Sequence, residues 1–248
     1  MITKVVQKDK NLSKINLIRL LTKYPVFNLK MLSEITEKSR EYSKLVVFRL
    51  KKENLILEIE KNKYTINEDP IIIASNIIWP SYITGWSALR YHNLTEQLPQ
   101  TISVASTRTR KKREIKFINT KIEFTKLRPK YFFGYKKEGY GNFKIFIAEK
   151  EKALIDSALL KKVSFSEIYD ILKNNKKNVN FELFVNYLFK IKNKALIKRF
   201  GYVMDFLGLD YYKRLKKFID YKYIKLDYSL AGNGKKNKKW RIINNVDY

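Results

Sequence analysis

Ser39, Arg40, Ser43, Lys44 and Lys51 fall at helical intervals. Hydroxyls and cations gathered on one helical face suit a helix that grips phosphates and reads base edges in a DNA groove. Arg40 can pair with a guanine edge through two N–H groups or hold a phosphate, and roughly half to two-thirds of protein–DNA hydrogen bonds go to the backbone. Lys61 and Lys63, around the turn of a short alternating segment, add cations where phosphate contact is expected. A second set, Arg108, Arg110, Lys111, Lys112 and Arg113, lies further along the chain, in a run where six of the nine residues from Arg108 to Lys116 are basic. Like charges this dense call for a neutralising anion or for open solvent.

Other chemistries find little support. His92 is the sole histidine and there is no cysteine, so a paired-His or thiolate metal site and a Ser–His–acid triad are not expected. A nuclease of the Asp…Glu-x-Lys type would use Glu114-Ile115-Lys116, yet the nearest preceding Asp is Asp69, in a different element. No GxxxxGK[ST] or GxGxxG string is present. No catalytic residue, metal or cofactor is expected. Asp156, among apolar neighbours, reads as an acid whose partner fixes helix packing, and Phe132, Phe133 and Tyr135 read as core before base-stacking groups.

The balance of 52 Lys and Arg against 24 Asp and Glu, a net charge of +28, is most easily explained by a polyanionic partner. With 248 residues, 45% hydrophobic and 14% aromatic, the chain can bury a sizeable core. No apolar stretch approaches the roughly 20 residues that span a bilayer, and the N-terminus carries no signal-peptide core, so a cytoplasmic protein without a membrane partner is expected.

The elements that must position the cations begin with a supporting helix capped by Ser13, with Ile15, Ile18 and Leu21 as its stripe and Pro25 as its stop. Asn28 can cap a short helix carrying Leu29, Leu32 and Ile35. Ser39 caps a second, Arg40 to about Glu53, expected to turn Tyr42, Leu45, Val46, Phe48 and Leu50 mostly inward and Arg40, Ser43, Lys44 and Lys51 outward. The string LILEIEKNKYTIN alternates around Lys61–Asn62–Lys63 as a basic-tipped hairpin. Helix, turn, helix and hairpin together outline a winged helix-turn-helix, assigned to residues 1–69.

Residues 70–248 are assigned to a second domain. The apolar segment Ile71–Pro80 joins it, and a helix is expected from Trp86 to His92. Strands are expected at Thr101–Ser106, around Phe117, around Phe124 and at Phe143–Ile147, with KKEGYGN as a loop. Helical periods follow over Glu149–Lys161 and on to Leu209. The Gly- and Lys-rich loop AGNGKKNKK leads into one last strand after Trp240. The expected class is α+β: the winged helix, then a small, mostly antiparallel sheet and a helical bundle.

Four strings of the second half, SALRYHNLTEQLP (Ser87–Pro99), SVASTRTRKKR, FFGY (Phe132–Tyr135) and IAEKEKALID (Ile147–Asp156), resemble in sequence and order the AbiEi family of antitoxins from type IV toxin–antitoxin systems. RFGYVMDFLG (Arg199–Gly208) and the Trp240 segment fit the same pattern, which covers most of the chain from Tyr82 onward. The resemblance implies a transcriptional repressor whose winged helix binds double-stranded operator DNA with inverted repeats. It also implies a C-terminal domain that counteracts a nucleotidyltransferase-like toxin without a stable complex. The residues alone leave open an RNA- or tRNA-binding protein acting through residues 108–116 and the Lys-rich tail.

Overall fold

A computed structural model describes residues 12–246; the N-terminal segment read for a signal peptide lies outside them. The chain is a mixed α+β protein, with helices and a hairpin first and a larger sheet and helices after. Its buried apolar side chains form two clusters, one drawn from Leu17 to Tyr64 and one drawn almost wholly from Ile73 to Ile242, with Ile59 of the hairpin joining the second.

Helix α1 (Lys14–Leu21) starts at Ser13, whose hydroxyl accepts from the Asn16 N–H, but its buried side chains are Leu17 and Leu21. Ile15, expected in that stripe, is exposed, because positions 17 and 21 stand one turn apart while 15 lies on the far side. Helix α2 (Leu29–Thr36) is capped twice: Asn28 Oδ1 accepts from Met31 N–H, and Asn62 Oδ1, arriving from the hairpin, accepts from Leu29 N–H. Glu37 in the left-handed region turns the chain into Ser39, which caps α3 (Arg40–Lys52). The hairpin β1 (Leu57–Glu60) and β2 (Lys63–Thr65) is antiparallel, and Phe27 bridges Tyr64 to extend it. A register shift between Glu58 and Glu60 breaks the expected alternation, so Ile56 and Ile59 are buried where Leu55 and Leu57 are only partly so.

Helix α4 (Pro70–Asn76), capped by Asp69, leads to β3 (Ser81–Thr84) and α5 (Gly85–Tyr91). There follow β4 (Thr101–Ser106), β5 (Glu114–Phe117), β6 (Thr120–Lys126), β7 (Tyr135–Tyr140) and β8 (Phe143–Ala148). The six-stranded sheet runs β5-β6-β4-β3-β8-β7, with β3·β8 and β4·β6 parallel and the other pairs antiparallel. It is larger than the four expected strands. Ser81–Thr84 is buried on both faces and so lacks the period-2 signature, while β7 occupies the segment expected to be a loop and is too polar to read as a strand.

Helix α6 (Lys150–Leu159) is buried from Glu151 to Ala158, and α7 (Phe165–Asn174), α8 (Phe181–Ile191) and α9 (Lys194–Phe206) follow. Short α10 (Tyr212–Leu215) precedes β9 (Ile224–Lys225), β10 (Lys235–Asn237) and β11 (Ile242–Asn244), a small sheet of order β10-β11-β9. Trp240 is fully buried and lies flat against α9: a Cβ added at Gly201 would stand 2.0 Å from its ring. Its indole N–H donates to Asp205 at 2.8 Å. No helix among the described residues is long and apolar enough to cross a membrane.

Candidate nucleic-acid interface

Helix α3 buries Ser43, Val46, Val47 and Leu50, an i, i+3, i+4, i+7 set that packs one face on the N-terminal core. The inward set expected from sequence mixed positions that cannot share a face at about 100° per residue. Tyr42, Leu45 and Phe48 are in fact 41%, 44% and 65% exposed. Ser43 changes sides as well: it is fully buried and its hydroxyl donates to the Ser39 carbonyl at 3.2 Å, so it cannot reach a groove. The outermost stripe is Glu41, Leu45, Phe48 and Lys52, with Lys44 and Arg49 on its flanks. Arg40, Lys44, Arg49 and Lys52 are exposed and form no ion pair among the described residues. Ser39 is exposed, but its hydroxyl accepts from Tyr42 N–H as the cap. Lys51 is paired with Glu58, whose hydrogen bond holds the ammonium pKa above its ordinary value.

The wing is short and largely committed to internal contacts. Lys61 is exposed, but Asn62, at φ 62°, turns its amide back onto α2. Lys63 is not free at the tip: its ammonium lies 2.8 Å from Glu60 and donates to the Ile77 carbonyl at 2.7 Å. Arg110, from the loop between β4 and β5, donates to the same Glu60 at 2.6 Å and sits 4.1 Å over the Phe124 ring. Its side chain is 11% exposed, so Arg110 is a strut and not a groove-facing cation. Burial pushes the Glu60 carboxyl up, but Lys63 and Arg110 outweigh it and hold it below the usual range.

The strut sets the rest of the basic loop beside the wing. Arg108, Lys111, Lys112, Arg113 and Lys116 are exposed and have no carboxylate within ion-pair distance among the described residues. Arg49, Lys52 and the apolar Leu45 and Phe48 were missed in sequence, although the 3.6-residue period anchored on Val46, Val47 and Leu50 would have placed them outward.

The remaining chemistry-bearing residues are used internally. Asp156 is fully buried, paired with Lys152, and accepts from Tyr82 at 2.8 Å and Thr84 at 3.1 Å. Burial pushes its carboxyl up and the Lys152 ammonium down. Glu151 Oε1 accepts from Asn180 N–H at the start of α8. His92 shares a 2.7 Å hydrogen bond with the Ala148 carbonyl, and burial lowers its pKa. Phe132 and Tyr135 pack on Tyr82, centroids 5.1 and 4.7 Å apart, and Phe133 packs on Tyr187. No group of three or more His, Cys, Asp or Glu that could hold a metal occurs among the described residues. No protein-family model matches the sequence, and no curated protein matches it.

Proposed function

We propose that the chain is a cytoplasmic DNA-binding antitoxin that represses its own toxin–antitoxin operon and counteracts a nucleotidyltransferase-like toxin. The observation that carries the DNA-binding part is the exposed surface of α3, where Lys44, Arg49 and Lys52 flank Leu45 and Phe48 and Arg40 stands at the helix start, none of the four in an ion pair among the described residues, with Glu41 the one acid of the stripe. Those cations displace counterions from phosphate, while Leu45 and Phe48 meet thymine methyl groups in the major groove. Lys111, Lys112 and Arg113 on the loop beside the wing form a second cationic surface, assigned to the protective role. The toxin-directed part, without a stable complex, rests on the sequence resemblance alone. No bond need be broken in either role.

The test compares binding to the duplex upstream of the chain's own gene with protection against the toxin. Arg40→Ala with Lys44→Ala weakens operator binding and leaves protection intact; loss of protection in a folded variant refutes the division of labour. Charge reversal at Lys111 and Lys112 reduces protection more than repression. A second reading, an RNA- or tRNA-binding protein acting through residues 108–116 and the Lys-rich tail, is favoured by Arg108, Lys111, Lys112, Arg113 and Lys116, exposed and without an ion pair among the described residues. It predicts tighter binding to structured RNA than to the upstream duplex.

A further inference from the structure

Trp79 is 54% exposed, whereas Trp240 is fully buried and Trp86 half-buried. It stands at a recess of about 270 Å³ lined by Ser75, Asn76, Ile78 and Phe146. The Phe146 ring lies against the indole, centroids 4.6 Å apart and planes 52° apart. The polar groups of the recess are fixed by internal bonds: Ser75 Oγ accepts from Phe146 N–H at 2.7 Å, and Asn76 Nδ2 donates to the Ile72 and Lys144 carbonyls. Two aromatic rings therefore open to solvent over a mostly apolar floor.

The strands place cations beside the rings. Lys137 on edge strand β7 pairs with Phe146 on β8, and directly opposed residues share a face; its ammonium lies 5.8 Å from the Phe146 centroid. Lys144, two residues before Phe146, is exposed on that face. Neither has an ion-pair partner among the described residues, whereas neighbouring Lys136 is paired with Glu138. The ring contacts continue from Phe146 to Tyr135 and on to Phe132, at 6.5 and 4.9 Å.

We propose that Trp79 and Phe146 form a stacking site for an unpaired base of single-stranded RNA, with Lys137 and Lys144 on the flanking phosphates. A solvent-facing indole beside two lysines without an ion-pair partner among the described residues matches a π-faced, anionic ligand, and aromatic platforms with cations are how unpaired bases are held. An apolar peptide would leave both lysines unmatched. The recess is below the roughly 300–1,000 Å³ of sites for drug-sized ligands, so it takes one planar ring. Duplex DNA keeps its bases stacked, whereas folded RNA presents splayed bases in its loops. The site shares no residue with α3, so separate variants test duplex binding and RNA binding.

The experiment measures fluorescence anisotropy of a labelled single-stranded oligouridine with the full chain. Trp79→Ala weakens binding roughly 5- to 150-fold, the range expected for one stacked base. Trp79→Phe restores most of it, and duplex DNA binding is unchanged. An abasic oligonucleotide of equal length binds the wild-type chain as weakly as RNA binds Trp79→Ala. RNA also quenches the tryptophan emission of the wild-type chain but not of Trp79→Phe, which carries the test if Trp79→Ala fails to fold. Unchanged affinity in Trp79→Ala, equal binding of the abasic strand, or no quenching overturns the site. Equal or tighter binding of single-stranded DNA overturns the assignment to RNA.

Discussion

Removing the Arg110 guanidinium tests whether the basic loop is fastened to the wing. The group makes one charge-assisted hydrogen bond to Glu60 at 2.6 Å and covers the Phe124 ring at 4.1 Å. Hydrogen bonds to charged groups contribute about 1.5–3 kcal/mol and modestly exposed cation–π contacts about 0.5–1 kcal/mol. Glu60 keeps Lys63 at 2.8 Å after the change, so its carboxylate is not stranded. Arg110→Ala should therefore cost about 2 kcal/mol, toward the lower end of that sum. Glu60→Gln should cost at least as much, because it takes the carboxylate from both cations. Residues in one network couple, so the double variant should lose about 1–2 kcal/mol less than the two singles together. Urea unfolding at constant m-value measures the cycle. The lowered Glu60 pKa stabilises the fold above the unfolded-state value, and that contribution is lost as pH falls through the folded value. The coupling should thus be complete near pH 7 and fade below about pH 4. A coupling within about 0.3 kcal/mol of zero at neutral pH, or one that persists unchanged at about pH 3, refutes the strut.

Two predictions concern the buried interior. Asp156→Ala leaves Lys152 buried without its anion and should destabilise by about 3–5 kcal/mol, whereas Lys152→Met with Asp156→Leu should recover part of that loss in the same urea assay; a cost below about 1 kcal/mol for Asp156→Ala contradicts the pairing. Gly201→Ala drives a methyl group into Trp240 and should cost about 1–3 kcal/mol or more and raise near-ultraviolet signs of a loosened indole; an unchanged melting temperature contradicts that packing.

The caps were the most legible part of the sequence. Ser13, Asn28 and Ser39 each start the expected helix, because a side-chain oxygen before an apolar period serves little else. The class was legible as well, since helical and alternating periods separate cleanly along most of the chain. Faces were less so. Helix α3 carries apolar residues on its core side and also at Leu45 and Phe48 outside, so composition could not say which stripe was buried. Strands β3 and β7 escaped for opposite reasons, one buried on both sides and one mostly polar at the sheet edge. Among the candidate cations, Arg110 is held by Glu60, 50 residues away, and Lys63 by the Ile77 carbonyl, 14 residues away, partners that no local pattern reveals, while the second partner of Lys63, Glu60, stands three residues back across the turn. The Lys152 partner of Asp156 lies one helical turn back, where the i, i+4 spacing makes it legible in the sequence.

Reading of duplex DNA by α3 is the proposal that most needs a direct measurement. Its most direct test is a salt titration of binding to the upstream duplex and to a random duplex of equal length, with wild type and the Arg40→Ala, Lys44→Ala variant. The wild-type chain should prefer its own upstream sequence, with log affinity falling by about 0.9 per phosphate contact against log salt. The variant should bind more weakly, with a slope shallower by about one to two contacts. Equal affinity for both duplexes, or an unchanged slope and affinity in the variant, would contradict the account.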